Sequence, residues 1–334
     1  MMETAPAAAA VVKALRATEK RMEKSLSKNK KKNYSSTNQK ERMMRTIAVL
    51  AMSLAVTVGA QERPGWKLVW AEEFDKGTAP DPAVWNYEHG FVRNHENQFY
   101  TKNRRENVRI ENGMLVIEGR KERFKNDLLK EDDARTYWHK NNQIKPEKRA
   151  WNEAEYAEYT SGSINTNHKK YWQYGRIEVR AKIPAGTGMW PAIWMMGEHK
   201  WWPACGEIDI MEHVAKEPLN IYGTMHWMDG KDKKHRSQGR RVTNPTPAAS
   251  YDDFHLYGIE WDEKQIVVFY DDNKYFTYDI SQADQPDGSN PFRQPHYILL
   301  NLAIGGGWGG PVIDGNAFPA KYYIDYVRVY EKIK

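Results

Sequence analysis

The chain has 334 residues, 40% hydrophobic and 12% aromatic, with one cysteine and a formal net charge of +6. That is too long for a small disulfide scaffold and fits one large all-β domain; a lone Cys excludes an intrachain disulfide framework and a cysteine-built zinc site. The charge does not mark a polyanion binder: residues 1–60 hold 12 Lys/Arg and 4 Asp/Glu, leaving 38 basic and 40 acidic side chains in residues 61–334, where all 13 Trp also lie.

Residues 1–42, with Ala-Pro-Ala-Ala-Ala-Ala near the start and Lys-Asn-Lys-Lys-Lys-Asn from Lys28, read as a disordered basic segment with no core to join. Residues 43–60 read as a secretory signal peptide. Arg45 supplies the positive charge, Ile47 to Val58 is an apolar run of 12, and Val58 and Ala60 are the small residues of a cleavage site before Gln61. A bilayer span needs about 20 apolar residues, so no stable membrane insertion is expected. A buried core helix would be the other use of such a run, but it lacks a polar face. Translation is expected to begin at Met43 or Met44, the upstream stretch being a start-site artefact. The mature chain, residues 61–334, is then secreted or periplasmic, and no Cys follows the apolar run closely enough for a lipid anchor.

From Trp66 onward the segments alternate with period two. Gly175–Ile183 sets Ile177, Val179, Ala181 and Ile183 on one face and Arg176, Glu178, Arg180 and Lys182 on the other. Met114–Glu118, Gln265–Tyr270 and Tyr322–Tyr330 read the same way. Asp271-Asp-Asn273 and Glu111-Asn-Gly113 are hairpin turn signals. No segment offers a long capped amphipathic helix, and no fixed-period repeat is present. Many short strands between Gly, Pro and Asn turns predict an all-β jelly-roll sandwich of two antiparallel sheets. Residues 120–158, dense in Lys, Glu, Asp and Asn, are expected to form a long loop that either walls a cleft or is a solvated excursion. Trp70, Trp85 and Trp261 lie in strand-like runs and are assigned to packing.

Three acids stand at i, i+2 and i+5 in Glu207-Ile-Asp-Ile-Met-Glu212. On a helix they would scatter around the axis; on a regular strand Glu212 would face away from Glu207 and Asp209. One extra residue, a β-bulge near Ile210-Met211, returns all three to one side and leaves Ile208 and Val214 to face the core. Same-face steps of about 6.6 Å let two long Glu side chains lean together over the shorter Asp209, towards the roughly 5–5.5 Å that a double displacement at a sugar carbon uses. Crowded carboxylates cannot all ionise freely, so at least one pKa must rise, giving a protonated acid beside an ionised nucleophile. An exposed acidic strand face, or a Ca²⁺ site, is the other reading of the triplet alone.

Gly188-Met-Trp-Pro-Ala-Ile-Trp194, Trp201-Trp-Pro-Ala-Cys-Gly206, Tyr222-Gly-Thr-Met-His-Trp227 and Leu300-Asn-Leu-Ala-Ile-Gly-Gly-Gly-Trp-Gly-Gly-Pro311 place Trp beside Gly and Pro. Flat aromatic faces that stack on sugar rings account for this better than core packing does. With these residues the chain resembles glycoside hydrolase family 16, and within it the laminarinase-like endo-β-1,3-glucanases. The Glu207–Glu212 run carries the most specific part of the likeness. Trp66–Phe74, Asn94–Thr101, Tyr174–Arg180 and Asp325–Tyr330 resemble further landmarks.

The resemblance implies a jelly roll with the substrate cleft across its concave sheet, Glu207 as nucleophile, Glu212 as general acid/base and Asp209 tuning both. It implies substrate contacts from Trp190, Trp194, Trp202, Trp308, His226 and Asn94. It also implies a structural calcium ion far from the cleft, held by Glu73, the Gly113 carbonyl and Asp325; no cofactor is expected for the chemistry. Many laminarinases carry Arg where this chain has Ser163, which leaves one polar sugar contact in question. Cys205 reads as a small buried filler. The expected partner is a polysaccharide and the expected state a monomer, with no nucleic acid bound. Mixed-linkage β-1,3-1,4-glucan, an algal galactan of the agarose type and transglycosylation are rival activities on the same acids. A catalytically dead lectin would keep the Trp but has no reason to keep three acids together.

Overall fold

The computed structural model describes residues 63–128, 154–246 and 248–333. The stretches expected to be a disordered basic segment and a signal peptide lie outside these residues. Strands β1 (Trp66–Glu72), β2 (Asn86–Tyr87), β3 (Gln98–Tyr100), β4 (Val108–Glu111) and β5 (Met114–Lys125) come first. They are followed by β6 (Tyr156–Ser161), β7 (Ser163–Asn165), β8 (Gly175–Lys182), β9 (Met189–Gly197), β10 (Glu207–Glu212) and β11 (Asn220–Met228). The last are β12 (His235–Thr243), β13 (His255–Trp261), β14 (Gln265–Tyr270), β15 (Asn273–Asp279), β16 (His296–Ile304) and β17 (Ala320–Lys332). The two α-helices among the described residues, Ala248–Tyr251 and Gly306–Gly309, are single turns. No helix among them is long and apolar enough to cross a membrane.

Two sheets form a jelly roll. One runs β15-β14-β13-β8-β17-β5-β6-β3, with β1 on β17 and β4 on β5; the other runs β12-β11-β10-β9-β16-β7-β2. Named pairings are antiparallel except β3 with β6. The turn signals act as read: Glu111 pairs with Met114 and Tyr270 with Asn273, and Asn112, Gly113 and Asp271 take positive φ.

One large core fills the space between the sheets. Ile193, Met195, Ile208, Ile298 and Leu300 enter from the seven-stranded sheet, and Ile177, Val179, Ile259, Val268 and Ile324 from the other. Each such side chain contributes about 1.5–3 kcal/mol by leaving water, so the seven-stranded sheet is held rigidly from behind. Trp85 and Trp261 are fully buried, and Trp70 packs on the core's edge against Trp172 at 4.8 Å.

The stretch expected to be a loop from residue 120 to 158 is shorter than that. Arg120–Lys125 continue β5, and Tyr156–Glu158 begin β6, its partner; residues 129–153 fall outside the described set. These strand ends hide their alternation because their polar residues find polar partners, Glu122 of β5 pairing with Arg104 at 2.6 Å and accepting from Thr160 of β6, while Phe124 packs on Phe99. On β8 the charged face is buried as well: Arg63 and Arg176 both hold the buried Glu178.

The implied calcium ligands are drawn near one another, since Leu115 pairs with Ile324 and Glu72 with Val327. Their carboxylates are committed elsewhere, however. Arg328 holds Glu73 through two hydrogen bonds of 2.7 and 2.9 Å, and Arg180 holds Asp325 at 2.7 Å. A divalent cation would have to displace two guanidinium groups, so the residues as placed do not fit that site.

Candidate active site

β10 lies between β9 and β11, and its pairing is irregular on both sides. Asp209 pairs with Trp194 and Met211 with Ile193; on the other side Asp209 pairs with Thr224 and Glu212 with Tyr222. This is the bulge the spacing required. Ile208, Ile210 and Met211 all enter the core, two of them consecutive, so Glu207, Asp209 and Glu212 return to the opposite face. Val214 does not follow the expected alternation into that core. The strand ends at Glu212, and Val214 packs with Trp190, Ala303 and Trp308 on the acids' side.

Every acid has a dedicated neighbour. The Trp202 indole N–H donates to Glu207 Oε2. The Trp190 indole N–H donates to Glu212 Oε1 at 3.1 Å. His226, cross-strand from Glu207, sets its Nε2 3.1 Å from Asp209 Oδ2, although Oδ2 makes no aligned hydrogen bond. Donor atoms of Glu207, Asp209 and His226 all lie within 4.8 Å of one another.

Burial, then the neighbouring Glu207 charge and a shared hydrogen bond with it, holds the Asp209 carboxyl well above the usual carboxylate range. Burial, then Asp209, does the same to Glu212, with His226 and the Trp190 N–H opposing. Behind them Tyr275, whose hydroxyl fits where Gly223 has no side chain, is raised by burial and by the charges of Glu212 and Asp209.

A raised carboxyl pKa works against folding once the group must ionise. Glu212 binds its proton more tightly folded than unfolded, so its share of stability is intact below about pH 4 and is lost as pH rises towards the folded-state pKa. Glu212→Gln will therefore resist urea better than the native chain at about pH 7, and no better at about pH 4. Urea melts at the two pH values check this.

The remaining predicted contacts separate into groups. Trp190 meets Trp308 edge-on at 5.5 Å, and Trp308 meets Tyr222 at 5.1 Å, forming an aromatic wall beside Glu212. Trp202 is partly exposed beside Glu207. Trp194 is mostly buried in the floor, its N–H donating 2.7 Å to Asn301 and its ring facing Arg93 at 4.9 Å. The Asn94 side chain turns to Glu96, while its carbonyl accepts from Gly307 at 2.8 Å and steadies the glycine loop that carries Trp308.

Ser163 is buried and donates to Glu88 at 2.6 Å. Glu88 in turn pairs with Arg93, so a guanidinium does sit under this floor, reached from a different segment. Cys205 is buried against Ala192 and Trp194, in keeping with a filler. Sequence reasoning missed Tyr222, Asn301, Arg93 and His235. Tyr222 and His226 share a face of β11 by period two, a signal that was available; Asn301 and Arg93 depend on pairing between distant segments, and His235 on the register of the β11–β12 hairpin.

The family model for glycosyl hydrolases family 16 matches residues 96–328. A beta-glucanase of Rhodothermus marinus is 36% identical over 311 residues, covering 88% of this chain and 97% of that protein. The structure of SCLam, described as a non-specific endo-beta-1,3(4)-glucanase, aligns with TM-score 0.65 at 40% identity, covering 82% of this chain and 94% of the other. A structure from work on endo-acting O-glycanases of the human gut microbiota that initiate mucin breakdown aligns with TM-score 0.70 at 38% identity, covering 81% and 92%.

Proposed function

The chain belongs to glycosyl hydrolases family 16, and on that footing we propose that it is a retaining endo-glucanase. Its proposed substrate is β-1,3-glucan of the laminarin type, with mixed-linkage β-1,3-1,4-glucan second. The observation that carries the reading is the bulge that sets Glu207, Asp209 and Glu212 on one face between two indole donors.

Glu212, protonated because its environment disfavours the charge, gives its proton to the leaving glycosidic oxygen while Glu207 attacks the anomeric carbon. The glycosyl–oxygen bond breaks as the ester to Glu207 forms. Glu212, now ionised, takes a proton from water, whose oxygen displaces Glu207 and restores the starting configuration. Asp209 shares a proton with Glu207 and adjusts to its loss of charge on esterification. Nucleophile, acid and base are all side chains, so the chemistry asks for no cofactor.

A second reading, cleavage of a mucin-type O-glycan or of a galactan, is favoured by the likeness to the O-glycanase structure for the first and to a keratan-sulfate endo-1,4-beta-galactosidase for the second. The two separate by product analysis of laminarin, barley mixed-linkage glucan, agarose and mucin O-glycans digested side by side. The glucanase reading expects internal cuts in laminarin, a ladder of oligosaccharides and no products from agarose or mucin. Products from mucin or agarose with laminarin intact would replace it. Residues 43–60 support the further proposal that the chain is exported and cut before Gln61; retention of the chain in the cytoplasm would contradict the export, and an exported protein whose N-terminus lies well before Gln61 would contradict the cut.

A further inference from the structure

The mechanism leaves unused a residue that stands beside the acids. His235 opens β12, the edge strand next to β11, and is exposed. Its Nε2 lies 2.9 Å from His226 Nδ1, and the two imidazoles are near-parallel, 16° apart, and meet edge to edge with centroids separated by 5.1 Å. The same ring meets Trp202 at 4.8 Å. One side chain thus touches both groups that address Glu207 and Asp209: Trp202, which donates to Glu207, and His226, which faces Asp209.

A neutral imidazole has one donor nitrogen and one acceptor. Oδ2 of Asp209 faces Nε2 of His226 and calls for a donor there, which in the neutral ring leaves Nδ1 to accept. His235 Nε2 is the partner recorded at that nitrogen. Partial desolvation holds the His235 pKa below the usual histidine value, with Glu207 opposing. Its ring is therefore neutral at neutral pH, with a proton to place on Nε2. The contact from His226 to Asp209 is close but unaligned in the free enzyme, and contacts of this kind tighten when substrate binds. A ring already fixed at its far nitrogen has less freedom to lose as it aligns.

Resting on the hydrolase reading, we propose that His235 is a positioning residue. Its Nε2–H donates to His226 Nδ1, fixes His226 in the tautomer that presents Nε2–H to Asp209, and so holds the proton shared by Asp209 and Glu207 in place. Packing against Trp202 alone would be a structural role, and two variants separate the two. His235→Phe keeps a ring against Trp202 and loses the donor; His235→Gln keeps an N–H within reach of Nδ1.

On laminarin, His235→Phe is expected to lose about tenfold in kcat with KM within about twofold, while His235→Gln stays within about threefold of the native enzyme. Native kcat in His235→Phe, or an equal loss in both variants, overturns the proposal. Nitrogen-15 shifts of the His226 ring give a reading that needs no turnover. One Nε2–H tautomer is expected in the native chain and in His235→Gln, and a mixture in His235→Phe; the same tautomer population in all three overturns the proposal. An enzyme inert on every glucan would sink the hydrolase reading while this ring measurement still decided the role of His235.

Discussion

Glu207→Ala will lower kcat on laminarin by about 10⁴-fold or more, with the fold intact. The variant removes the atom that bonds to the anomeric carbon, and nothing nearby can replace it. Asp209 is shorter, buried and carries its proton to a higher pH than an ordinary carboxyl. The loss is chemical because the side chain lies on the substrate face, whereas Ile208, Ile210 and Met211 hold the strand to the core. Kinetics on laminarin and a urea melt check it together. Residual turnover within tenfold of native would remove Glu207 from the nucleophile role, and an unfolded variant would be answered with Glu207→Gln.

Glu212→Ala will cost about 10²–10⁴-fold on glucan, the usual worth of a positioned general acid. The size of the loss will follow the leaving group. A glucoside whose leaving group departs unaided, such as a dinitrophenolate, will form the glycosyl-enzyme at near-native rate, because no proton is needed there. Its turnover will then stall, since water has lost its base, and added azide will restore turnover by attacking without one. The basic limb of the native kcat/KM profile, set by a Glu212 carboxyl that burial and Asp209 push up, will disappear in the variant. Equal losses on good and poor leaving groups would contradict the acid/base role.

The acid-bearing strand β10 was readable because its information is local. Three acids at i, i+2 and i+5 fit one face only through a bulge, and the register shift lies where that arithmetic puts it. The turns at Asn112-Gly113 and Asp271 were readable for the same reason. Val214 was misread because alternation was extended past the end of the strand. Glu73 and Asp325 have the right chemistry for calcium, but the guanidinium groups that neutralise them come from strands far away in sequence. His235 sits in Lys231–Val242, a polar run without alternation. Only the pairing of Met228 with His235 brings its ring to His226.

The central claim is a covalent bond from Glu207 to the sugar, with Glu212 supplying and removing the proton. Incubating the native enzyme with a 2-deoxy-2-fluoro laminari-oligosaccharide bearing a good leaving group should trap that ester, because fluorine slows the second step more than the first. Peptide mass spectrometry is expected to find one glycosyl group, on the peptide that contains Glu207 and on that side chain. A label on Glu212 or Asp209, or inversion of the anomeric carbon with no label at all, would contradict the account.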